Sequence, residues 1–378
     1  MAVKYLAGNR LWGTDAERTG MAESFAPKTS WKQLAKTTLG SGGATAITVT
    51  SIPKKDNLWV LISTLESGTS PDLYISYGIN DDDPSTDTDT SGVWSWSGRY
   101  GGESSESSDV SQAKMKINNT QNGYGGFWNL RIKNLESGST NQKFTIARGG
   151  EYNDTVGIPM PQDYVGKFNR IDGYIDRIEL TSQAATGDGS YTFPEGSEVV
   201  VLGCNDDEAD NSTPNAPFWQ QLTAFEVTGS AAVMDTGADS IAEKKYLMFE
   251  IFQEDNGGTI DAEVNFNDDT GTVYGYNIKS GGATGWTTDD NDDKLWGFGA
   301  DQAGDKQGYA IFANISGQPK LGIMASTQAS SAGSAGPRRI GCWKYSPSSL
   351  TDFISRVAIT GTAGVGSTIR VWGGTPTS

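Results

Sequence analysis

This 378-residue chain contains three clusters of acidic residues, mostly aspartates, that are candidates for binding a metal ion. Calcium in proteins takes about six to eight oxygen ligands, which converging loop carboxylates and carbonyls can supply. None of the three acidic clusters has the spacing of an EF-hand. We expect solvated acidic loops and no cofactor, with Ca²⁺ bound at the first cluster as the alternative. The first cluster is Asp81, Asp82, Asp83, Asp87 and Asp89, and shorter ones follow within 206–210 and 289–293.

Two tryptophans separated by one residue, Trp94 and Trp96, are the best candidates for binding a carbohydrate. Residues i and i+2 of a strand lie on one face, so both rings could stack on the same saccharide. Tyr274 and Tyr276 repeat this spacing in the second half of the chain. Carbohydrate binding by these four residues is one interpretation. A shared core position is the other, because two copies of one fold need the same interior.

The complete absence of histidine excludes much of enzyme chemistry. It excludes Ser-His-Asp and Cys-His catalysis, zinc sites built on histidine and the usual pH switch. Glycoside hydrolysis needs two carboxylates beside the scissile bond, and no glutamate here begins the Glu-x-Asp-x-x-Glu pattern of β-sandwich glucanases. The glycine-rich stretch 40–43 lacks the Lys-Ser/Thr of a phosphate-binding loop. We therefore predict that the protein is not an enzyme.

The net charge and the lack of long apolar runs argue against nucleic acid and membranes as partners. The net charge of −17 and the pI of about 4.4 predict no binding to nucleic acid. No apolar run is long enough for a membrane span or a secretory signal, so we expect synthesis in a cytoplasm and no membrane insertion. The only cysteines are Cys204 and Cys342. Buried free thiols are one interpretation of them and a single disulfide is the other.

The chain contains an internal duplication, since nine apolar blocks recur in the same order in its second half. The offset between matching residues falls by nearly twenty along the chain, as expected if strands repeat and connections differ in length. The blocks include 31–34 with 219–222, 58–62 with 247–251, 73–81 with 260–268, 93–96 with 273–276, 128–132 with 309–313, 143–146 with 320–323, 165–168 with 340–343, 175–178 with 354–357 and 196–203 with 366–373.

Within the blocks the apolar period is two, as in Leu73, Ile75, Tyr77 and Ile79. Frequent Gly, Ser, Asn and Asp separate the blocks, which is typical of turns between strands. These patterns predict an all-β protein of two tandem jelly-roll-like antiparallel β-sandwich domains, with about eight strands in each copy and an extended N-terminal arm. The predicted boundaries are an arm at 1–30, a first sandwich at 31–203, an acidic linker at 204–217, a second sandwich at 218–374 and a tail at 375–378.

The N-terminal arm belongs to neither copy and carries the apolar residues Leu6, Leu11 and Trp12. These side chains are exposed unless something covers them. Docking on a neighbouring subunit is one interpretation. Packing against the first sandwich of the same chain is the alternative.

The beginning of the chain, Lys4-Tyr5-Leu6-Ala7-Gly8-Asn9-Arg10-Leu11, resembles structural proteins from tailed viruses of marine microbes. The second copy resembles that family further at 244–247, 266–269, 337–344 and 364–373. The first copy departs from the pattern, with Lys167-Phe168 in place of a Trp-Lys step. The resemblance implies a component of the virion and supplies no catalytic residues.

We therefore expect a non-enzymatic structural protein on the exterior of a virus particle, either a head decoration or turret protein or a tail or fibre subunit. Its partners would be other virion proteins and further copies of itself, with a trimer or pentamer as the expected closed ring. The alternatives are a carbohydrate-binding adhesin that recognises a host surface and a double-jelly-roll major capsid subunit.

Overall fold

A computed structural model describes residues 31–65, 71–79, 94–100, 106–112, 114–118, 125–134, 143–152, 159–168, 173–184, 192–205, 218–229, 231–254, 263–280, 287–295, 304–328 and 338–377. Every regular element in these ranges is a β-strand, and all the strand pairs are antiparallel. The predicted all-β sandwich class is confirmed. None of the described residues forms a helix that could span a membrane.

The described residues of the first unit form twelve strands in two sheets. They are β1 (Lys32–Thr38), β2 (Ala46–Val49), β3 (Asn57–Thr64), β4 (Pro71–Ile79), β5 (Trp94–Tyr100), β6 (Glu106–Gln112), β7 (Met115–Asn118), β8 (Gly126–Lys133), β9 (Lys143–Tyr152), β10 (Pro159–Phe168), β11 (Ile175–Ala184) and β12 (Glu198–Cys204). The large sheet has the order β1-β12-β3-β8-β9-β10-β5-β6, and the small sheet has the order β2-β11-β4-β7.

The second unit contains eleven described strands. They are β13 (Gln220–Glu226), β14 (Ala231–Asp235), β15 (Tyr246–Gln253), β16 (Glu263–Phe266), β17 (Tyr274–Ser280), β18 (Thr287–Asp292), β19 (Lys306–Ala313), β20 (Lys320–Gln328), β21 (Arg338–Tyr345), β22 (Val357–Ala363) and β23 (Thr368–Gly374). The large sheet has the order β13-β23-β15-β19-β20-β21-β17-β18, and the small sheet has the order β14-β22-β16. Each strand of this unit therefore has a counterpart at the same place in the first unit.

Each unit buries an apolar core between its large and small sheets, as alternating strands require. The first core includes Val60 from the large sheet and Ile178 from the small sheet, and the second includes Phe249 and Val357 at the matching places. Burial on this scale is the main term that holds each sandwich together.

Each core has a buried asparagine at one end, and the two asparagines make the same hydrogen bonds. Asn134 donates from Nδ2 to the carbonyl of Lys55 and accepts the backbone N–H of Ile175 at 2.8 Å. Asn314 makes the same two bonds, to the carbonyl of Lys244 and from the N–H of Ile354. Both side chains are fully buried. The duplication therefore extends to polar contacts, which composition and hydrophobic pattern do not reveal.

The sheet registers correct two details of the sequence comparison. Val60 pairs with Leu130, and Phe249 pairs with Ala310, so Leu130 corresponds to Ala310 and not to Ile311. The predicted alignment of 128–132 with 309–313 is thus wrong by one residue, which in a strand moves every side chain to the opposite face. By the same reasoning the block 165–168 corresponds to 342–345, two residues beyond the predicted match.

The number of strands per copy exceeds the predicted eight, because polar strands escape detection by hydrophobic alternation. The clearest cases are β6 and β18, which lie at the outer edge of each large sheet and have the sequences ESSDVSQ and TTDDND. Charged side chains at a sheet edge discourage pairing with other chains.

The outer faces of the two large sheets pack against each other. Their contact buries a third apolar cluster, which we call the junction core; it consists of Trp59, Leu61, Phe127, Val200, Leu202, Phe218, Trp219, Tyr246, Ile311, Ala313, Leu321, Ile323 and Cys342. The molecule is therefore a stack of four β layers, with the two large sheets in the middle. Cys204 and Cys342 are both buried, and neither forms a disulfide.

Candidate functional site: a cleft between the large sheets

The two large sheets separate beside the junction core and leave a cleft of about 920 Å³. Strands β8 and β9 of the first unit form one wall, and strands β15, β19, β20, β21 and β23 of the second unit form the other. Four arginines and a single glutamate supply all of the charge among the described lining residues: Arg131, Arg148, Arg338, Arg370 and Glu250. The cleft is thus a cationic site in a chain of net charge −17.

Arg131 occupies the boundary between the cleft and the junction core. Its guanidinium carbon lies 3.3 Å from the ring centroid of Trp59 and 4.8 Å from that of Trp31. Contact with an aromatic face stabilises a cation when water is excluded. Burial lowers the pKa of Arg131 to about 10, while nearby Tyr309 and Cys204 act to raise it. The side chain therefore stays cationic at neutral pH without a described carboxylate in ion-pair contact.

Arg148 and Tyr309 connect the two walls. The Nε atom of Arg148 lies 2.9 Å from the carboxylate of Asp163, its neighbour across the β9–β10 pair. Its Nη1 atom donates to the hydroxyl of Tyr309 across the cleft, over 3.4 Å. The ion pair orients the guanidinium, so Arg148 is the best-positioned of the four arginines.

Arg338 and Arg370 are exposed at the mouth of the cleft. Within the described part of the chain, neither has a carboxylate within ion-pair distance. Glu250 is the cross-strand neighbour of Arg370, but its carboxylate accepts a hydrogen bond from the indole of Trp372 at 3.2 Å. Among the described residues, no carboxylate therefore competes with a ligand for either guanidinium group.

Uncharged polar side chains complete the lining. Their amides and hydroxyls both donate and accept hydrogen bonds, which suits a ligand that carries several hydroxyl groups. These residues are Asn129, Gln307, Ser326, Thr327 and Thr368.

An apolar strip continues from the cleft over the first large sheet. Phe144, Ile146 and Val165 are 56%, 52% and 53% exposed, and Ile146 also lines the cleft. By register they correspond to Leu321, Ile323 and Cys342, which are all buried in the junction core. The first unit therefore exposes the same surface that the second unit buries. We call Phe144, Ile146 and Val165 the exposed strip.

The carbohydrate-binding prediction has different outcomes at its four residues. Tyr274 is fully buried, stacks on Tyr345 and donates from its hydroxyl to the carbonyl of Phe266. Tyr276 belongs to the same core and is 7% exposed. Because stacking on a sugar needs an exposed ring face, the prediction is wrong for these tyrosines, and the competing core interpretation is correct for them.

Trp94 and Trp96 lie in β5 opposite Phe168 and Gly166, at the places that Tyr274 and Tyr276 occupy in β17. Their side chains lie outside what the structure describes. Carbohydrate binding by these two tryptophans stays a prediction.

The predicted calcium cluster, Asp81, Asp82, Asp83, Asp87 and Asp89, lies outside the described residues, as do the acidic residues of 206–210. The third acidic cluster is not a loop, since Asp289, Asp290 and Asp292 belong to the edge strand β18. Within the described ranges, no three acidic or cysteine side chains converge in a way that could hold a metal ion. The docking residues Leu6, Leu11 and Trp12 also fall outside the described ranges.

Sequence reasoning missed the cleft because its arginines come from four different strands, two in each unit, and the two pairs are far apart in the chain. Their only local signal is an outward-facing position on an apolar strand, which any solvent-exposed arginine shares. The residues come together only when the sheets pair and the units pack.

No protein-family model and no curated protein matches this chain. Among solved structures, domains LG4-5 of the mouse laminin alpha1 chain align with 92% of this chain and 90% of that one, at 8% identity and a TM-score of 0.20. A putative thioesterase II from Thermobifida fusca aligns with 82% of this chain and 95% of that one, at 8% identity and a TM-score of 0.11. Scores this low carry no argument about the function of the chain.

Proposed function

We propose that this protein is a non-enzymatic structural subunit on the exterior of a virus particle, as a head decoration or turret protein or as a tail or fibre subunit. It would be made in the cytoplasm of the host and would assemble with other virion proteins and with copies of itself. The sequence resemblance and the rigid four-layer β architecture support this role. The observation that carries it is the exposed strip, an assembly surface left open.

The occupant we propose for the exposed strip is the apolar part of the N-terminal arm, residues 1–30, from a neighbouring copy. Trp31, where the described chain begins, packs edge-on against Trp59. Trp59, Arg131, Ile146 and Val165 form one cross-strand row of the sheet. Strands lie about 4.8 Å apart, so Ile146 is about 10 Å from the strand on which Trp31 packs. Thirty residues of extended chain span at most about 100 Å, so an arm that leaves at Trp31 is long enough to reach the strip of an adjacent copy.

Mass measurement in solution tests the assembly role. We expect the full chain to form a closed oligomer, and removal of residues 1–30 to give a monomer. Val165→Asp should also give a monomer, because it buries a charge in the docking surface. Val365→Asp is the matched control, since Val365 is similarly exposed, at 58%, but lies outside the strip. A monomeric full chain, or an oligomer that survives both changes, would contradict the proposal.

Electron microscopy of the particle tests the location. We expect this chain to be traceable on the exterior at a copy number that matches the local symmetry. Particles that lack the chain would refute the virion role even if the purified protein is an oligomer. The double-jelly-roll capsid alternative loses support, because such copies stand side by side in a shell whereas these two large sheets pack face to face.

A carbohydrate-binding role is the second candidate, and the polar lining of the cleft favours it. An adhesin needs a concave site with hydrogen-bonding groups that reach solvent. A glycan array probed with the full chain would separate this role from a purely structural one.

A further inference from the structure

Polar residues of the second unit line one wall of the cleft, and their counterparts in the first unit are apolar. By register and repeat, Glu250 corresponds to Leu61, Gln307 to Phe127 and Arg370 to Val200. Leu61, Phe127 and Val200 are all buried in the junction core. The same sheet face is thus a packing surface in one unit and a polar, cationic surface in the other. A second packing surface would need apolar residues here, so this wall has the chemistry of a binding site for a water-soluble ligand.

The charge of the cleft selects an anion. The four guanidinium groups and one carboxylate give the described lining a net formal charge of +3. Arginine presents a planar fork of N–H donors that matches the geometry of a carboxylate or a sulfate. Arg131, partly buried between two tryptophans and lacking a described carboxylate partner, gains most from an anionic ligand because water screens it least.

The uncharged lining selects a ligand with many hydroxyl groups. Two amide and three hydroxyl side chains lie among the arginines, and the ring of Tyr309 is 37% exposed beside them. Sugar hydroxyls both donate and accept hydrogen bonds and occur on every residue of a polysaccharide, so they match this neutral lining more fully than the carboxylate side chains of an acidic peptide, which only accept.

We propose that the cleft between the large sheets binds a segment of an anionic polysaccharide, with its carboxylate or sulfate groups on Arg131, Arg148, Arg338 and Arg370 and its hydroxyls on the neutral side chains. This inference goes beyond the assembly role and does not depend on it. It also differs from the sugar site that the sequence predicted, because none of Trp94, Trp96, Tyr274 and Tyr276 lines the described cleft.

Calorimetric titration of the full chain tests this proposal with four probes. The first is a galacturonate oligosaccharide, which carries a carboxylate on every sugar, and the second is the same oligosaccharide with its carboxylates methyl-esterified. The third is a sulfated dextran oligosaccharide, and the fourth is a glutamate oligomer of equal charge. We expect one or both anionic sugars to bind, the esterified sugar to bind at least about tenfold more weakly, and higher salt to weaken binding. The relative affinity of the carboxylated and sulfated probes identifies the natural anion.

Variants identify the site. Arg370→Ala and Arg338→Ala should each weaken binding by about tenfold or more, because each removes a charge-assisted hydrogen bond. Both residues are exposed, so thermal unfolding should stay unchanged. Lys54→Ala is the matched control, since Lys54 is exposed and lies outside the cleft. It should leave affinity unchanged.

Three results would overturn the proposal. The first is absence of binding to both anionic sugars. The second is equal binding of the glutamate oligomer, which would make the cleft an acidic-peptide site. The third is a loss of affinity with Lys54→Ala as large as that with Arg370→Ala, which would indicate attraction by the general surface. None of these results bears on the oligomeric state, so the two proposals fail independently.

Discussion

The two buried asparagines, Asn134 and Asn314, each hold together backbone segments at one end of a sandwich. Each one joins two backbone segments that no strand ladder connects, through one donated and one accepted hydrogen bond. A buried backbone N–H or carbonyl without a partner costs about 1–3 kcal/mol. Asparagine therefore recurs at this position because few other side chains supply both functions at this length.

We predict that Asn134→Ala and Asn314→Ala each lower the free energy of unfolding by about 2–4 kcal/mol, because each leaves two buried backbone groups without partners. Urea unfolding of both variants measures the effect. Gln220→Ala is the control, since Gln220 is exposed on its strand and its loss should change stability by less than about 0.5 kcal/mol. A loss at one asparagine alone would show that the duplicated contacts are not energetically equivalent.

At the scale of elements, the contact between the large sheets depends on small residues. Strands β9 and β10 contact β17, β20 and β21. Gly150 lies in β9 at this contact, where an added Cβ would come within 2.4 Å of Sγ of Cys342. The Cys342 thiol in turn donates a hydrogen bond to the carbonyl of Gly149 at 3.2 Å. The sheets thus approach more closely than larger side chains would permit.

A polar network strengthens the same junction. The buried carboxylate of Glu198 accepts hydrogen bonds from Tyr246 at 2.9 Å and from Thr38 at 2.7 Å, and it forms an ion pair with Lys245 at 2.9 Å. Tyr246 and Lys245 come from the second unit. Because the bonds need fixed geometry, this network defines how the two units sit on each other, whereas apolar packing alone defines it less strictly.

Replacement of one glycine should weaken the junction. We predict that Gly150→Ala lowers the free energy of unfolding by about 1–3 kcal/mol, because the new methyl group overlaps with Sγ of Cys342. The double variant Gly150→Ala/Cys342→Ala should recover part of the loss. Gly229→Ala is the control, since nothing lies within 4 Å of the added atom there. Equal stability of the Gly150 and Gly229 variants in urea unfolding would contradict the close approach of the sheets.

At the scale of the whole molecule, buried tyrosines set the alkaline limit of stability. Burial raises the pKa of Tyr77, Tyr246, Tyr274 and Tyr345 well above the ordinary value of 10.0, and it raises the pKa of Tyr276 to about 12. Above pH 10 the unfolded chain loses these protons while the folded chain keeps them. Stability therefore falls as the pH rises beyond 10.

The ionisation of Lys320 has the opposite effect on stability, and it does so over a lower pH range. Burial lowers its pKa from 10.5 to about 8, although its ammonium group donates to the carbonyls of Ile315, Gln318 and Leu350. Between these two pKa values the unfolded chain binds more protons than the folded chain, so stability rises with pH there. Arg131, whose pKa burial lowers from 12.5 to about 10, acts in the same direction as Lys320 above pH 10. These are two groups against five tyrosines, so the tyrosines dominate there.

We predict that the free energy of unfolding rises between about pH 8 and pH 10, because Lys320 loses its proton more readily in the folded chain. Above pH 10 it should decrease steeply, because the five tyrosines ionise only on unfolding. Urea unfolding at a series of pH values, with the ultraviolet absorbance of tyrosinate recorded in parallel, measures both events. Tyrosinate from these five of the chain's 14 tyrosines should appear only together with unfolding. Ionisation of all the tyrosines near pH 10 in a chain that stays folded would contradict their burial.

The all-β class, the duplication and most strand positions follow from the amino-acid pattern alone, because alternation of apolar residues and turn chemistry are local properties. It also placed Tyr274 and Tyr276 at repeated positions, where a core role was one of two interpretations. Burial and strand pairing in the folded chain were needed to choose between those interpretations, to correct the alignment of β8 with β19 and to identify β18 as an edge strand. A shift by one residue leaves the composition of a strand unchanged but reverses its faces, so pairing between distant strands is needed to fix it. The cleft and the exposed strip could be identified only from the packing of the two units, since they depend on which faces of the units meet.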